Sequence, residues 1–389
     1  MKRVLVTALA RTPFGKFRGI LAAHDCIDLG TQLIDELSKR DGNPQEKPQI
    51  VYGGSGLLGG AQLTTLRQMI IGSGLSNETV SVGVDRACCS GMTAISGAAA
   101  WLRSGAGNKA LAIGLDSLSN MPVLVSRGSD RKINSLAMTD PLLLTGSVTD
   151  KTIAQYTSEE ALKAGVDRAL QDKWAFQSHC RYFEGLEAGI MEKQLFPVDG
   201  GQTGVLCDEG PRPNSNLEKL GTLRVVNNSE TITAGNAPGL SDGAAGLILT
   251  DESGLSEHTE PLAEIVDWVQ VAGHLQQGTS IPAVAVERLL ERNQLRLEDV
   301  AVIEINEAFA ATPLVSLRRL AAFSGIPAET LTRKTNVYGG AVAIGHPLGA
   351  SGVRIVMQAI TILRKRGGGI GICSICGGFG QGEAMIIRV

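Results

Sequence analysis

The residues best suited to chemistry in this 389-residue chain begin with the tetrad Cys88-Cys89-Ser90-Gly91. The tetrad opens a run of small residues that is typical of a helix start. A thiolate is the nucleophilic form of cysteine, and the positive end of a helix dipole lowers the pKa of a thiol. We therefore expect a reactive cysteine with a lowered pKa here, although cysteine is also common as a small, inert core residue.

Three further candidates lie far along the chain. His346 stands in GGAVAIGHPLGASG, where glycines and a proline predict a tight turn before a helix. Cys376 ends an apolar strand and opens the glycine-rich loop CGGFGQG, whose backbone N–H groups suit an oxyanion hole. Asn306 follows the apolar strand VAVIEI, where its amide would either cap a helix or hold a water or a substrate carbonyl. For His346 and Cys376, a satisfied turn and an inert buried thiol remain the alternatives.

Two thiols, an imidazole and exposed backbone amides together favour acyl transfer through a thioester, with a carbon–carbon bond made or broken. One thiol is then the nucleophile, the imidazole is its base, and the second thiol moves a proton on carbon or on an incoming thiol. Neither a hydrolase nor a thioredoxin needs all of these parts.

Two stretches of the chain follow one plan, in which a turn carrying a candidate residue leads to a helix, a glycine stop and a strand. Cys88 precedes Gly114, in the strand KALAIGL, by 26 residues, and His346 precedes Gly371, in the strand IGICSIC, by 25. This repetition predicts two similar α/β halves about a pseudo-twofold axis, with Cys88 and His346 at equivalent places.

A polar, turn-rich stretch from 117 to 236 fits neither half and is predicted to be an inserted loop domain that binds substrate. It contains one long helical segment, TSEEALKAGVDRALQDKWAFQSHCRYFEGLEAG. The predicted halves are then residues 1–116 with about 237–258, and residues 259–389.

Composition restricts the partners and the compartment. The formal net charge of -3, with no long charge run, argues against nucleic-acid binding, and no apolar run reaches the ~18 residues of a membrane span. The basic N-terminus is predicted to be a first β-strand and not a signal peptide. Seven scattered cysteines indicate a reducing, cytoplasmic setting. Cys373 and Cys376 form a lone CxxC, for which structural zinc or a redox pair is disfavoured.

Taken together, the motifs resemble those of the thiolases, acyl-CoA acetyltransferases and acyltransferases that cleave or form 3-oxoacyl-CoA. The family pattern Cys-x-Ser-Gly selects Cys88 over Cys89 as the nucleophile. The resemblance runs nearly end to end, and its segments are ARTPFGKFRG at 10–19, CCSGMTAI at 88–95, TAGNAPGLSDGAA at 233–245, NEAFA at 306–310, GGAVAIGHPLGASG at 339–352 and CGGFGQGEAM at 376–385.

The resemblance implies a fold and partners. The expected fold is α/β and thiolase-like, with two duplicated βαβαβαββ-type halves in a five-layer αβαβα arrangement and an inserted loop domain. Coenzyme A and acetyl-CoA are expected as substrates, with no tightly bound cofactor and no metal. A homodimer or homotetramer is expected, with the cysteine-bearing half at the interface.

The resemblance also implies a role for each candidate. His346 activates Cys88, and Cys376 is the general acid/base that exchanges a proton with the α-carbon or with the CoA thiol. One oxyanion hole consists of the His346 side chain and a water held by Asn306. The second consists of the backbone amides of Cys88 and Gly378.

The expected CoA contacts are Arg212, Ala234 and Pro238. Arg212 matches a CoA-contacting arginine, whereas Pro238 stands where many thiolases have serine, and Tyr338 stands where the family usually has asparagine. The acyl group, acetoacetyl or a longer or unusual chain, and the direction of the reaction remain open. Two alternatives also remain, a decarboxylating condensing enzyme of the same fold and a noncatalytic acyl-CoA-binding subunit.

Overall fold

The computed structural model describes residues 2–57, 63–127, 136–144, 148–199 and 206–389. Its strands are β1 Leu5–Arg11, β2 Gly15–Lys16, β3 Ile50–Gly54, β4 Val80–Val84, β5 Lys109–Ser117, β6 Leu124–Arg127, β7 Leu136–Thr139, β8 Ser241–Thr250, β9 Ala263–Ala272, β10 Val300–Ile305, β11 Ile370–Cys376 and β12 Gln381–Arg388. Its helices are α1 Cys26–Arg40, α2 Thr65–Gly72, α3 Ser90–Arg103, α4 Ile153–Lys163, α5 Arg168–Glu187, α6 Leu217–Gly221, α7 Ile281–Asn293, α8 Ala311–Ser324, α9 Ala328–Arg333, α10 Ala341–Ile344 and α11 Leu348–Arg366.

The strand order is the same in the two halves of the chain. In the first half the order is β4-β3-β5-β8-β1, in which β3 and β5 are parallel and β8 is antiparallel to both β5 and β1. In the second half the order is β10-β11-β12-β9, in which β10 and β11 are parallel and β12 is antiparallel to both β11 and β9. The predicted duplication is confirmed by this topology.

The sheets of the two halves are joined through one short strand pairing. There β1 pairs with β9 over two positions, Leu5 with Glu264 and Val6 with Ala263. The counterpart of β4 in the second half is a single parallel bridge between Ile303 and Thr335. This bridge precedes the His346 turn just as β4 precedes the Cys88 turn, so the two turns lie at equivalent places.

Three apolar clusters fill the spaces between the layers. The central cluster lies between the sheets and includes residues of α3 and α11 together with strand residues of both halves. The outer clusters join α1 and α2 to the first sheet and α7 to the second. Every residue of α11 from Leu348 to Leu363 is buried, so this helix has no solvent-facing polar side of the usual width. The predicted five-layer αβαβα arrangement is confirmed.

Glycines bring the first turns of α3 and α11 into backbone contact. A Cβ at Gly91 would lie 2.1 Å from the carbonyl oxygen of Gly349, and one at Gly352 would lie 2.5 Å from the backbone nitrogen of Met92. Real Cβ atoms do not approach so closely, so only glycine permits this crossing. The crossing holds the Cys88 turn and the His346 turn beside each other.

The stretch between β5 and β8 carries helices α4 to α6 and the hairpin β6–β7. The long helical segment predicted here is divided in the structure, because α4 ends before Gly165 with φ of 71° and α5 begins after the N-cap Asp167. Tyr182 of α5 joins the central apolar cluster, so this stretch shares the core with both halves. In the described parts of the chain, no helix is long and apolar enough to cross a membrane.

Candidate active site

The Cys88 turn is a sharp link between β4 and α3. Ala87 adopts a left-handed conformation with φ of 48°, and residues Ala87–Cys89 form one 3-10 turn. The Arg86 backbone N–H donates to the Ser90 hydroxyl at 2.8 Å, which ties the entry of the turn to the first residue of the helix. Cys88 therefore lies immediately before the helix, as the sequence predicts.

His346 lies against Cys88. Its Nε2 atom is 3.2 Å from the Cys88 Sγ, although the two residues are 258 positions apart. The His346 backbone N–H donates to the Gly239 carbonyl oxygen at 3.3 Å and to the Ser241 hydroxyl at 3.2 Å. These bonds place the imidazole within reach of the thiol proton.

Ser351, which the sequence reasoning missed, fixes the imidazole tautomer. The Ser351 hydroxyl donates to the Pro347 carbonyl oxygen at 2.9 Å, and its oxygen lies 2.6 Å from His346 Nδ1. A hydroxyl has one proton, so Ser351 must accept from an Nδ1–H. The lone pair of Nε2 then faces the Cys88 thiol. The only signal in the sequence was a serine one helical turn beyond the histidine.

Both members of the pair are uncharged at neutral pH. Burial lowers the pKa of His346 to about 3, with a smaller contribution from the Arg354 guanidinium. Burial also raises the pKa of the Cys88 thiol, and Cys376 adds to the rise. The prediction of a lowered Cys88 pKa is wrong, because removal of the thiolate from water outweighs the stabilisation by the helix end.

Cys376 ends β11 and is buried, which raises its pKa to about 12. Cys373 lies three positions earlier on the same strand and packs in the central cluster, whereas Cys376 packs in the cluster against α7. Side chains an odd number of positions apart on a strand point to opposite faces. The CxxC therefore does not form a redox pair or one side of a metal site.

The loop after Cys376 lies on the nucleophile turn. A Cβ at Gly377 would lie 2.7 Å from the Arg86 carbonyl oxygen and 2.9 Å from the Cys89 Sγ. Three left-handed residues follow, with φ of 66°, 48° and 75° over 378–380. Gly378, a predicted oxyanion donor, thus lies in a tight turn beside the residues that flank Cys88.

Asn306 is fully buried where β10 ends, and its backbone N–H donates to the Ser374 carbonyl oxygen at 2.9 Å. Neither polar atom of its side chain has a hydrogen-bond partner among the described residues. The N-cap of α8 is Ala310, so the capping alternative for Asn306 is wrong. Buried amides are normally bonded, which fits an amide that binds water or substrate.

Glu307, a second residue that the sequence reasoning missed, organises the segment that leads to His346. Its buried carboxylate accepts from Trp174 Nε1 at 2.9 Å and from the Ser178 hydroxyl at 2.8 Å. It also accepts from Asn336 Nδ2 and the Val342 backbone N–H, both at 3.0 Å. The carboxylate therefore joins α5 to α10, two residues before the histidine turn.

Arg212 lies on a loop that borders the histidine turn. Its side chain is exposed, and its backbone N–H donates to His179 Nδ1 at 3.2 Å. Two residues earlier, a Cβ at Gly210 would lie 2.5 Å from the Ala343 carbonyl oxygen of α10. The backbone that carries this exposed side chain is thus held close to the His346 segment.

The second bordering loop carries Ala234, which is exposed, and Pro238, which is half-buried. Pro238 directly precedes Gly239, the residue whose carbonyl oxygen accepts from the His346 backbone. Tyr338, by contrast, packs against α5, where a Cβ at Gly185 would lie 2.9 Å from the Tyr338 Cβ. Tyr338 therefore packs against a helix, whereas Pro238 lies beside the histidine.

Fold and site together define a duplicated α/β protein with a cysteine–histidine pair held between its halves. The sequence model of the thiolase N-terminal domain matches residues 4–253, and that of the thiolase C-terminal domain matches residues 259–389. The chain belongs to the thiolase family.

Similar proteins cover the whole chain. The mitochondrial acetyl-CoA acetyltransferase of Mus musculus is 33% identical over 100% of this chain and 91% of its own. The beta-ketoadipyl-CoA thiolase of Acinetobacter baylyi is 34% identical over 100% of both chains. The crystal structure of human mitochondrial 3-ketoacyl-CoA thiolase in complex with CoA has a TM-score of 0.91, 30% identity, and coverage of 100% of this chain and 98% of its own.

Proposed function

We propose that this chain is an acyl-CoA C-acyltransferase that makes or cleaves 3-oxoacyl-CoA through a thioester on Cys88. The observation that carries the proposal is the 3.2 Å contact between the Cys88 Sγ and the unprotonated Nε2 of His346. Membership of the thiolase family and the names of the relatives support the reaction type.

In the degradative direction, His346 takes the thiol proton as the Cys88 sulfur attacks the 3-keto carbon. The bond between the α- and β-carbons then breaks, and the Cys376 thiol protonates the α-carbon of the departing acetyl-CoA enolate. Coenzyme A next transfers its thiol proton to the Cys376 thiolate and takes the acyl group from Cys88. His346 returns its proton to the Cys88 sulfur, which restores the starting state.

The protonation states suit these steps. A thiol with a pKa of about 12 is fully protonated at neutral pH and can act as the acid. Once deprotonated, it is a strong base of the kind that abstraction of a proton from the α-carbon of a thioester requires. The neutral resting pair places no charge in the buried site until substrate arrives.

The oxyanion is assigned to two groups of donors. The Asn306 amide, buried without a protein partner among the described residues, holds a water that together with His346 binds one oxyanion. The contact of Gly377 with the nucleophile turn supports assigning the N–H groups of Gly378 and Cys88 to the second thioester carbonyl.

Coenzyme A is assigned to the two loops that border His346. The exposed Arg212 side chain offers a cation for a phosphate, and Ala234 and Pro238 lie on the other loop. Solved relatives that contain CoA support coenzyme A as a substrate.

A homodimer or homotetramer is also proposed. Strand β4 is the edge of the first sheet, and Val80 on it is 55% exposed. Open edge strands with exposed apolar side chains favour pairing with another chain. A cytoplasmic location is supported by the seven cysteines, which the structure describes and which are all free thiols.

The test compares Cys88→Ser with Cys89→Ser in thiolysis of acetoacetyl-CoA. Cys89 is a matched control, because it is the adjacent buried thiol and its Sγ contacts the Ile375 carbonyl oxygen, not a catalytic side chain, among the described residues. Cys88→Ser is expected to remove turnover, whereas Cys89→Ser retains it. Failure of the wild type to turn over any 3-oxoacyl-CoA would instead favour the noncatalytic alternative.

A further inference from the structure

Phe379 lies at the tip of the turn after Cys376 in a conformation that its side chain disfavours. Its φ is 48°, between two glycines that are also left-handed. A Cβ in this region approaches the following carbonyl oxygen, so the conformation costs free energy that glycine avoids. The turn does not need a side chain at this position, because glycine would close it with less strain.

Core packing does not explain the phenylalanine either. Its side chain is 42% exposed, as much as that of Phe323 on the outer helix α8, which is 43% exposed. Among the described residues, Phe379 takes part in no aromatic pair and in none of the apolar clusters. A large apolar side chain on a strained backbone near catalytic groups indicates a functional role.

The turn packs on the nucleophile turn and on the segment that follows β9. Gly377 packs on the Arg86 carbonyl oxygen and on Cys89. On the other flank, the Gly273 N–H donates to the Gly380 carbonyl oxygen at 2.8 Å, and a Cβ at Gly380 would lie 2.5 Å from the His274 carbonyl oxygen. The two loops with Arg212 and Pro238 instead border the histidine turn.

We propose that Phe379 is a specificity-determining residue that contacts the acyl chain of the 3-oxoacyl substrate and favours chains longer than acetoacetyl. The inference rests on the proposed function. Cys376 must reach the substrate's α-carbon, which lies two bonds from the first carbon of the acyl chain, so the turn that follows Cys376 and carries Phe379 lies within reach of that chain. An apolar chain that covers the exposed ring removes apolar surface of both partners from water.

Substrates with acyl chains of different length distinguish a role of Phe379 in specificity from a purely structural role. The terminal methyl of an acetoacetyl group offers little surface, whereas a 3-oxooctanoyl group offers several methylenes. Since a methylene in an apolar pocket changes specificity by about tenfold or more, the ring contributes mainly to the longer substrate.

The experiment measures kcat/KM of thiolysis for 3-oxooctanoyl-CoA and for acetoacetyl-CoA. In Phe379→Ala the ratio of the two values is expected to fall by about tenfold or more, chiefly through KM, and Phe379→Leu is expected to restore part of it. Phe323→Ala, which removes an equally exposed ring far from the turn, is expected to leave the ratio unchanged. A ratio that stays the same or rises in Phe379→Ala overturns the proposal.

Stability provides a second readout. Phe379→Gly relieves the left-handed strain, so its Tm is expected to exceed that of Phe379→Ala while its substrate ratio falls equally. If both variants lose activity equally on the two substrates, the residue supports only the turn and the proposal is wrong. Wild-type protein that turns over neither substrate would refute the proposed function, which is a different outcome from an unchanged ratio.

Discussion

Replacement of Ser351 by alanine is the sharpest test of how the base is prepared. The hydroxyl accepts from His346 Nδ1 at 2.6 Å, and the imidazole is buried. Without it, the Nδ1–H loses its acceptor, and both the reactive tautomer and the imidazolium that follows proton transfer lose stabilisation. A hydrogen bond to a group that becomes charged is worth about 1.5–3 kcal/mol.

That loss predicts a fall of about 10- to 150-fold in the rate of proton removal from Cys88. The assay is the rate of Cys88 alkylation by iodoacetamide between pH 6 and 9, followed by peptide mass spectrometry, together with kcat/KM of thiolysis. Because alkylation needs no acyl-CoA, it reports on the thiol independently of substrate binding.

Ser38→Ala is a matched control for the loss of a helical serine hydroxyl. Ser38 donates to the Ile34 carbonyl oxygen at 2.9 Å, the same distance as the Ser351 bond to Pro347, and it contacts no catalytic side chain. Equal alkylation rates and pH profiles for Ser351→Ala, Ser38→Ala and wild type would refute the role assigned to Ser351.

Three further predictions follow from the same structure. His346 stays neutral in the folded protein but takes a proton below pH 6.5 in the unfolded chain, so the free energy of unfolding falls as pH falls. In His346→Asn, the slope of the unfolding free energy against pH, measured in urea between pH 6 and 4, should be smaller by about 1.4 kcal/mol per pH unit. Glu307→Gln replaces one accepting carboxylate oxygen with an NH2 group that faces donors. The substitution should lower the free energy of unfolding in urea by about 1–3 kcal/mol, and an unchanged midpoint would contradict the contacts described. Val80→Lys should shift the assembly toward monomer in sedimentation velocity, and an unchanged distribution would exclude β4 as the interface.

The sequence predicted the strands that present the site and both turns. VAVIEI and IGICSIC correspond residue for residue to β10 and β11, because an uninterrupted apolar run followed by a polar or glycine-rich turn leaves few other structures. The repeated spacing also predicted that Cys88 and His346 occupy equivalent places, and the two side chains are in contact.

What the sequence did not predict depends on tertiary neighbours. The pKa of Cys88 was expected to fall because the helix end can be recognised in the local sequence. The burial that raises this pKa comes from elements of both halves, which the local sequence does not show. Ser351 and Glu307 were not predicted, since their partners are distant in the sequence or visible only in three dimensions. The assigned roles of Cys376, Asn306, Gly378 and the CoA-side residues stay predictions, as do the domain boundaries.

The thioester on Cys88 is tested most directly by the mass of the protein after brief exposure to acetyl-CoA, followed by peptide mapping. We expect one added acetyl group, carried by Cys88, that disappears when free coenzyme A is supplied and is absent in Cys88→Ser. An acetyl group on Cys89 or Cys376, or none on wild-type protein that is turning over substrate, would contradict it.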